Sequence, residues 1–170
     1  MDYQGFVKRL SLPTGWAAPT ELAMDDIRAS AITRDHVQDD VRGINADIEL
    51  IARTRGGGWP TEPVTEDFDY VDLVWHEREF REGESFTYVV YDTAGQYLGC
   101  CYLYPMGKRR PLTGELLGHD VDVSWWVTPD AYRRGYYTKL YSALRYWIAT
   151  EFPFSDPYYS NTEVPAPGDD

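Results

Sequence analysis

The segment Tyr132-Arg133-Arg134-Gly135-Tyr136-Tyr137-Thr138 gathers groups suited to a pyrophosphate: two guanidiniums, a glycine, and a run of backbone N–H groups at what reads as a helix start. A helix N-terminus carries partial positive charge, so an anion is stabilised there even before the arginines contribute. The elements that must present this loop lie on either side of it. Before it, Val121, Val123, Trp125 and Val127 recur with period two, which puts Asp122, Ser124 and Trp126 on the opposite face of a strand. After it, Tyr137, Leu140, Tyr141, Leu144, Trp147 and Ile148 recur at helical intervals and predict a helix from Gly135 to Glu151. Strand, Pro-marked turn, basic loop and helix thus form one unit from Asp122 to Ile148.

Composition bounds what this unit serves. A chain of 170 residues, 43% hydrophobic and 15% aromatic, is long and apolar enough for a single domain spanning 1–170, with a flexible tail at about 165–170. The formal charge of −12 argues against a general nucleic-acid surface or an anionic-membrane surface, since either would need a local basic patch. Lys108-Arg109-Arg110 reads as a solvated loop between strands. Neither a secretory signal nor an apolar run of about 20 residues is present, which points to the cytoplasm. Cys100 and Cys101 are adjacent and face opposite sides of a strand, so they read as reduced packing residues. His76-Glu77-Arg78-Glu79 lacks the second histidine of a zinc-binding HExxH helix, so no metal is implied.

The remaining elements follow from caps and periodicity. Phe6–Leu12 reads as a first strand and Glu21–Ser30 as a short helix. Thr33 caps a predicted helix from Arg34 to Arg53 that ends at Gly56-Gly57-Gly58, and Thr65 caps another reaching Arg81 with Phe68, Val71 and Trp75 on its buried side. Two β-rich runs around Gly95, SFTYVVY and YLGCCYLYP, make the strongest hairpin. A last strand is predicted over Tyr158–Val164.

Val127-Thr128-Pro129, followed by Tyr132-Arg133-Arg134-Gly135-Tyr136-Tyr137 and a helix, resembles the acetyl-CoA segment of the GNAT superfamily of N-acetyltransferases, Val-x-Pro then Gln/Arg-x-x-Gly-x-Gly/Ala. Gly135 falls on the motif's first glycine. Tyr132 stands at the Gln/Arg position and Tyr137 at the final Gly/Ala position, so the loop is bulkier than the family pattern. The resemblance implies an α+β fold, a mixed and mostly antiparallel sheet flanked by helices. It departs from the family at the end, where the usual C-terminal helix and hairpin are lacking and the chain stops six residues after Val164. That leaves a sheet edge open to a second copy, giving a homodimer, or to the N-terminal segment.

By the same resemblance the fourth and fifth strands splay. Acetyl-CoA, as co-substrate, would lie between them along Ser124, Trp125, Trp126 and Val127, its pyrophosphate over Arg133, Arg134, Gly135, Tyr136, Tyr137 and Thr138, with Asn161 on the pantetheine arm. The implied activity moves an acetyl group directly to a primary amine of a small molecule or peptide. Asp122 would take the ammonium proton, with Asp120 or His119 in reserve, and Tyr158 or Tyr159 would return a proton to the departing thiolate. The alternative is a non-catalytic GNAT-like module that binds an acyl-CoA or a protein.

Overall fold

The computed structural model describes residues 9–166. Six strands form one sheet in sequential order, β1 (Glu21–Met24), β2 (Ile27–Ala31), β3 (Phe86–Asp92), β4 (Tyr97–Tyr104), β5 (Val121–Val127) and β6 (Pro157–Tyr159). All neighbours are antiparallel except β5 and β6, which run parallel. Helices α1 (Val37–Ala46), α2 (Ile48–Thr54) and α3 (Glu66–Arg81) follow β2, while α4 (Pro129–Arg133) and α5 (Tyr136–Glu151) connect β5 to β6. The expected α+β sheet with flanking helices is therefore present, and none of the helices among the described residues is long and apolar enough to cross a membrane.

Alternation along β5 divides the core as its sequence requires. Val121, Val123, Trp125 and Val127 join α5 residues Tyr137, Leu140, Leu144, Trp147 and Ile148 in one apolar cluster, and Trp126 joins Ile44, Ile51, Leu73 and Tyr102 in the other. Trp125, Trp126 and Trp147 are fully buried, each removing one of the largest apolar surfaces in the chain from water.

Five local expectations change. Residues 21–30 form the β1–β2 hairpin rather than a helix: Leu22, Ile27 and Ala29 turn inward while Arg28 faces water, and Asp25 takes the left-handed conformation (φ 50°) that closes the turn. The helix expected over Arg34–Arg53 begins with a 3₁₀ turn at Arg34–His36, where Thr33 and His36 form a reciprocal cap, and it breaks at Asp47. There the backbone is extended (φ −163°) and the carboxylate accepts from the Leu50 N–H, capping α2. On α3, Phe68, Val71 and Trp75 are 65%, 67% and 58% exposed; Asp69, Leu73, His76 and Glu79 are the buried residues. Polar partners drive that inversion, since His76 meets Thr87 and Glu79 meets Lys108. The last strand is only Pro157–Tyr159, and the chain then turns toward α2. Of the first predicted strand, residues 6–8 lie outside the described residues and 9–12 are not extended into the sheet.

Burial, with Asp40 beside it, pushes the Asp69 carboxyl well above the usual aspartate range. Folded Asp69 keeps its proton after the unfolded chain has lost it, so this contribution is complete below about pH 4 and drains away as pH rises toward the raised folded value. Asp69→Asn, which cannot ionise, is expected to gain stability relative to wild type as pH rises. The gain between pH 5 and pH 9 should be at least about 1 kcal/mol, the worth of a single pKa unit. Calorimetric melting at the two pH values checks this; a constant difference would mean that Asp69 is ionised throughout.

Candidate active site

β5 and β6 are paired only at their start, Val121–Val123 against Pro157–Tyr159, and the Ser160 N–H adds one bond to the Val123 carbonyl (2.9 Å). Beyond it the two strands part. The backbone groups of Trp125 then face a gap, and a side-chain amide takes them: Trp125 N–H donates to Asn161 Oδ1 (3.1 Å), and Asn161 Nδ2 donates to the Trp125 carbonyl (2.9 Å). Asn161 Nδ2 also donates to the Tyr137 hydroxyl (2.8 Å), which donates in turn to the Glu163 carbonyl. The Tyr137 ring lies 5.2 Å from that of Trp125, and burial pushes its phenol up to about 12. Thr162 and Glu163 N–H groups bond the carbonyls of Arg55 and Thr54, so the segment after β6 is fastened to the end of α2. Close approach is possible because Gly56 has no side chain; a Cβ there would stand 2.1 Å from Thr162 Oγ1.

The basic loop does not converge on this gap. Gly135 adopts the left-handed conformation (φ 86°) and α5 begins with no side-chain cap, which leaves first-turn N–H groups for an anion. Yet Arg134 turns to Asp92 and Asp130 (both 3.4 Å) and to Gln96 (3.1 Å). Arg133 is largely exposed beside Asp130. Tyr136 donates to Asp26, and Thr138 faces a cavity of about 910 Å³ between α5 and the β1–β2 turn. Asp122 is not among the residues that line this cavity.

On the opposite face of β5, Asp122 is buried and accepts from the Ser160 hydroxyl. Burial raises its carboxyl above the usual range, against the pull of Ser160 and of Arg109, Arg55 and Arg110. Ser124 Oγ accepts from Arg55 Nε (3.1 Å), and Trp126 Nε1 donates to the Tyr102 hydroxyl (2.8 Å). The register places Tyr158 level with Asp122 and Tyr159 level with Val123. The Tyr158 ring lies 5.2 Å from that of His119, tilted against it, whereas Tyr159 packs on Tyr141 (5.2 Å) on the α5 side, where burial pushes it up to about 12. Only Tyr158 of the pair shares the Asp122 face, and the phenol that reaches the gap is Tyr137. Asp120 accepts from the N–H groups of Ser155 and Asp156 and so holds the turn into β6.

Sequence reasoning missed the residues lining a cavity of about 230 Å³ on this face: Arg55, Trp59, Asp72, His76, Tyr102, Tyr104 and Arg109 among them. The run Lys108-Arg109-Arg110 is not a solvated loop. Lys108 reaches Glu79 and Ser85, Arg109 donates to the carbonyls of Ser160, Arg55 and Gly56, and Arg110 donates to Ser160 O. A basic run following a strand of alternating aromatics was the available signal, but the partners of its two arginines lie about fifty residues away in either direction.

The acetyltransferase (GNAT) domain profile matches residues 28–163. Among solved structures, RimL, a ribosomal α-N-protein acetyltransferase in complex with coenzyme A, is similar at 9% identity, covering 81% of this chain and 71% of its own, with a TM-score of 0.57. A ribosomal-protein-alanine acetyltransferase from Vibrio fischeri is similar at 11% identity, covering 77% and 68%, with a TM-score of 0.53. An acetyltransferase from Salmonella typhimurium that modifies the N-terminal serine of a ribosomal subunit protein is similar at 9% identity, covering 76% and 68%, with a TM-score of 0.56. No curated protein sequence matches the chain. At these identities the solved structures speak to the fold, and the profile, which spans most of the sequence, speaks to descent: the chain belongs to the GNAT acetyltransferase domain family.

Proposed function

We propose that this protein moves an acetyl group from acetyl-CoA directly to a primary amine, without a covalent enzyme intermediate. The observation that carries the reading is the Asn161 amide on Trp125. Where β5 and β6 part, the free strand edge takes an amide through one N–H and one C=O, the pair of bonds that a pantetheine amide would make in its place. The donor set therefore fits the co-substrate, on condition that Asn161 and Tyr137 move aside. Bound there, acetyl-CoA supplies a thioester carbonyl as the electrophile. The chain's own residues do the rest. Trp125 aligns the arm, the uncapped start of α5 and Arg133 attract phosphate charge, and Asp122 accepts the amine proton at its carboxylate. Ser160, bonded to that carboxylate, keeps it oriented. Tyr158, level with Asp122, is the phenol assigned to the departing thiolate.

A working base must be ionised, so turnover should rise with pH through the raised Asp122 value. Asp122→Asn is expected to lower kcat/KM by about 10²–10⁴ and to abolish that ascending limb. Release of free thiol, followed across pH with a panel of primary amines, provides the measurement. An unchanged profile in the variant would remove Asp122 from the role.

Tyr137 favours a second reading, a non-catalytic module. Its ring stands in the gap at a position the family keeps small, and two chain segments hold it there: the end of α2 through Thr54, and the stretch after β6 through Asn161 and Glu163. Binding of acetyl-CoA with no thiol release across the amine panel would support this reading over the first.

A further inference from the structure

The protein carries twelve more negative than positive formal charges, yet it buries guanidiniums around one small cavity. Arg55 is 6% exposed, and its one directional side-chain partner on β5 is the neutral hydroxyl of Ser124. Its guanidinium lies 4.0 Å from the centre of the Tyr102 ring and 5.5 Å from that of Trp59. Arg109 spends its N–H groups on carbonyls and on Ser160 Oγ. Among the described residues no carboxylate lies within ion-pairing distance of either arginine, and Asp122 reaches Arg109 only through Ser160. Burial and the neighbouring Arg55 pull Arg109 down to about 10, against the opposing pull of Asp122.

Asp122 is the nearby buried carboxylate that both arginines feel, and it forms an ion pair with neither, so two buried cations share one indirect counter-charge, an arrangement that costs several kcal/mol. The cavity supplies what is missing. It is bounded by the two arginines, walled by Trp59, Tyr102 and Tyr104, and closed by Asp72 and His76, whose Nε2 lies 3.2 Å from the Asp72 carboxylate. A planar carboxylate suits a guanidinium fork, and an aromatic wall suits the organic part of a small molecule. At about 230 Å³ the space has the size of an amino acid, not of a nucleotide.

We propose that the Arg55–Arg109 cavity binds the carboxylate of a small organic acid and, resting on the acetyl-transfer reading, that the acceptor is an amine carrying a carboxylate, of the amino-acid class. Carboxylate binding is measurable without any transfer. The probes are N-acetyl-L-phenylalanine, which has a carboxylate and no ammonium, L-phenylalaninamide, which has the reverse, and L-phenylalanine. Titrations followed on the Arg55 Nε–H resonance and by calorimetry are expected to show both carboxylates binding and the amide at least tenfold weaker. Arg55→Gln should lose at least tenfold for the carboxylates while Arg55→Lys keeps part of that affinity. Should Arg55→Gln fail to fold, the carboxylate-over-amide preference of the wild-type protein stands as the independent criterion. Equal affinity for amide and carboxylate, or no shift at Arg55, overturns the proposal. Carboxylate binding with no acetyl transfer would retain this site and reject the transfer reading; transfer to carboxylate-free amines alone would do the opposite.

Discussion

Tyr137→Ala is expected to bind coenzyme A about a hundredfold more tightly than the wild-type protein. The family's loop ends in a residue without bulk, and here a buried phenol fills that space between β5 and the segment after β6. For the wild type to admit a pantetheine arm, the Tyr137 ring must leave Trp125 and its hydroxyl must leave Asn161 and Glu163. Exposing a large side chain costs roughly 1.5–3 kcal/mol and each of the two hydrogen bonds lost adds about 1 kcal/mol, so displacement costs at least about 3 kcal/mol. At about 1.4 kcal/mol per tenfold, that penalty corresponds to about two orders of magnitude in dissociation constant. Alanine removes the displaced group and leaves Asn161 as the one competitor for Trp125. Tyr137→Phe, which keeps the ring and loses only the two hydroxyl bonds, should recover part of the gain, about 2 kcal/mol or less, and bind more weakly than Tyr137→Ala. The alanine variant will also be less stable by about 3 kcal/mol, because its cavity is unfilled without ligand. Calorimetric titration of each folded variant with coenzyme A measures the effect. A folded Tyr137→Ala that binds no tighter than wild type would show that this gap is not the coenzyme site.

What the chain discloses without its structure follows the reach of each interaction. Period two along Val121–Val127 is enough to put Asp122, Ser124 and Trp126 on one face, and the same parity makes Tyr158 and Tyr159 face opposite ways. Both depend only on neighbours in sequence. The β1–β2 hairpin was hidden because its turn uses Asp25 in a left-handed conformation instead of the Asn-Gly or Asp-Gly pair that announces such turns. Phe68, Val71 and Trp75 have helical spacing and nevertheless face outward, because α3 spends its inner face on His76 and Glu79, whose partners are on β3 and after β4. The arginine cavity is the extreme case. Arg55 reaches a hydroxyl 69 residues away and Arg109 a carbonyl 54 residues back, and no local pattern encodes either distance.

Gly99→Ala is expected to destabilise the protein by at least about 3 kcal/mol and to disorder the end of β5. Gly99 pairs with Val127 across β4 and β5, beside the irregular step between Val90 and Tyr91 on β3. A Cβ at this position would lie 2.1 Å from the Trp126 carbonyl oxygen and 2.8 Å from the Val127 Cα. Both obstacles are backbone, so no rotamer change relieves them and the strands must separate. Overpacking of this kind costs roughly 1–3 kcal/mol, and each ladder hydrogen bond lost in the separation adds about 1 kcal/mol. For a chain of this length about 3 kcal/mol corresponds to a fall in Tm of roughly 6–12 °C. Gly114→Ala, where a Cβ meets nothing within 4 Å, should stay within about 0.5 kcal/mol of wild type. Amide exchange locates the damage: protection should fall at Trp126, Val127 and Thr128, whose N–H bonds the Leu98 carbonyl, and persist in the β1–β2 hairpin. Uniform loss of protection would mean that the clash is absorbed globally. The position matters for function because β5 turns from its pairing with β4 into α4 at this point, with Thr128 capping that helix. A displaced Val127 would move the start of α5 relative to Trp125. Gly99→Ala in the Tyr137→Ala background should therefore lose most of the coenzyme affinity gained there, even at temperatures where the protein remains folded.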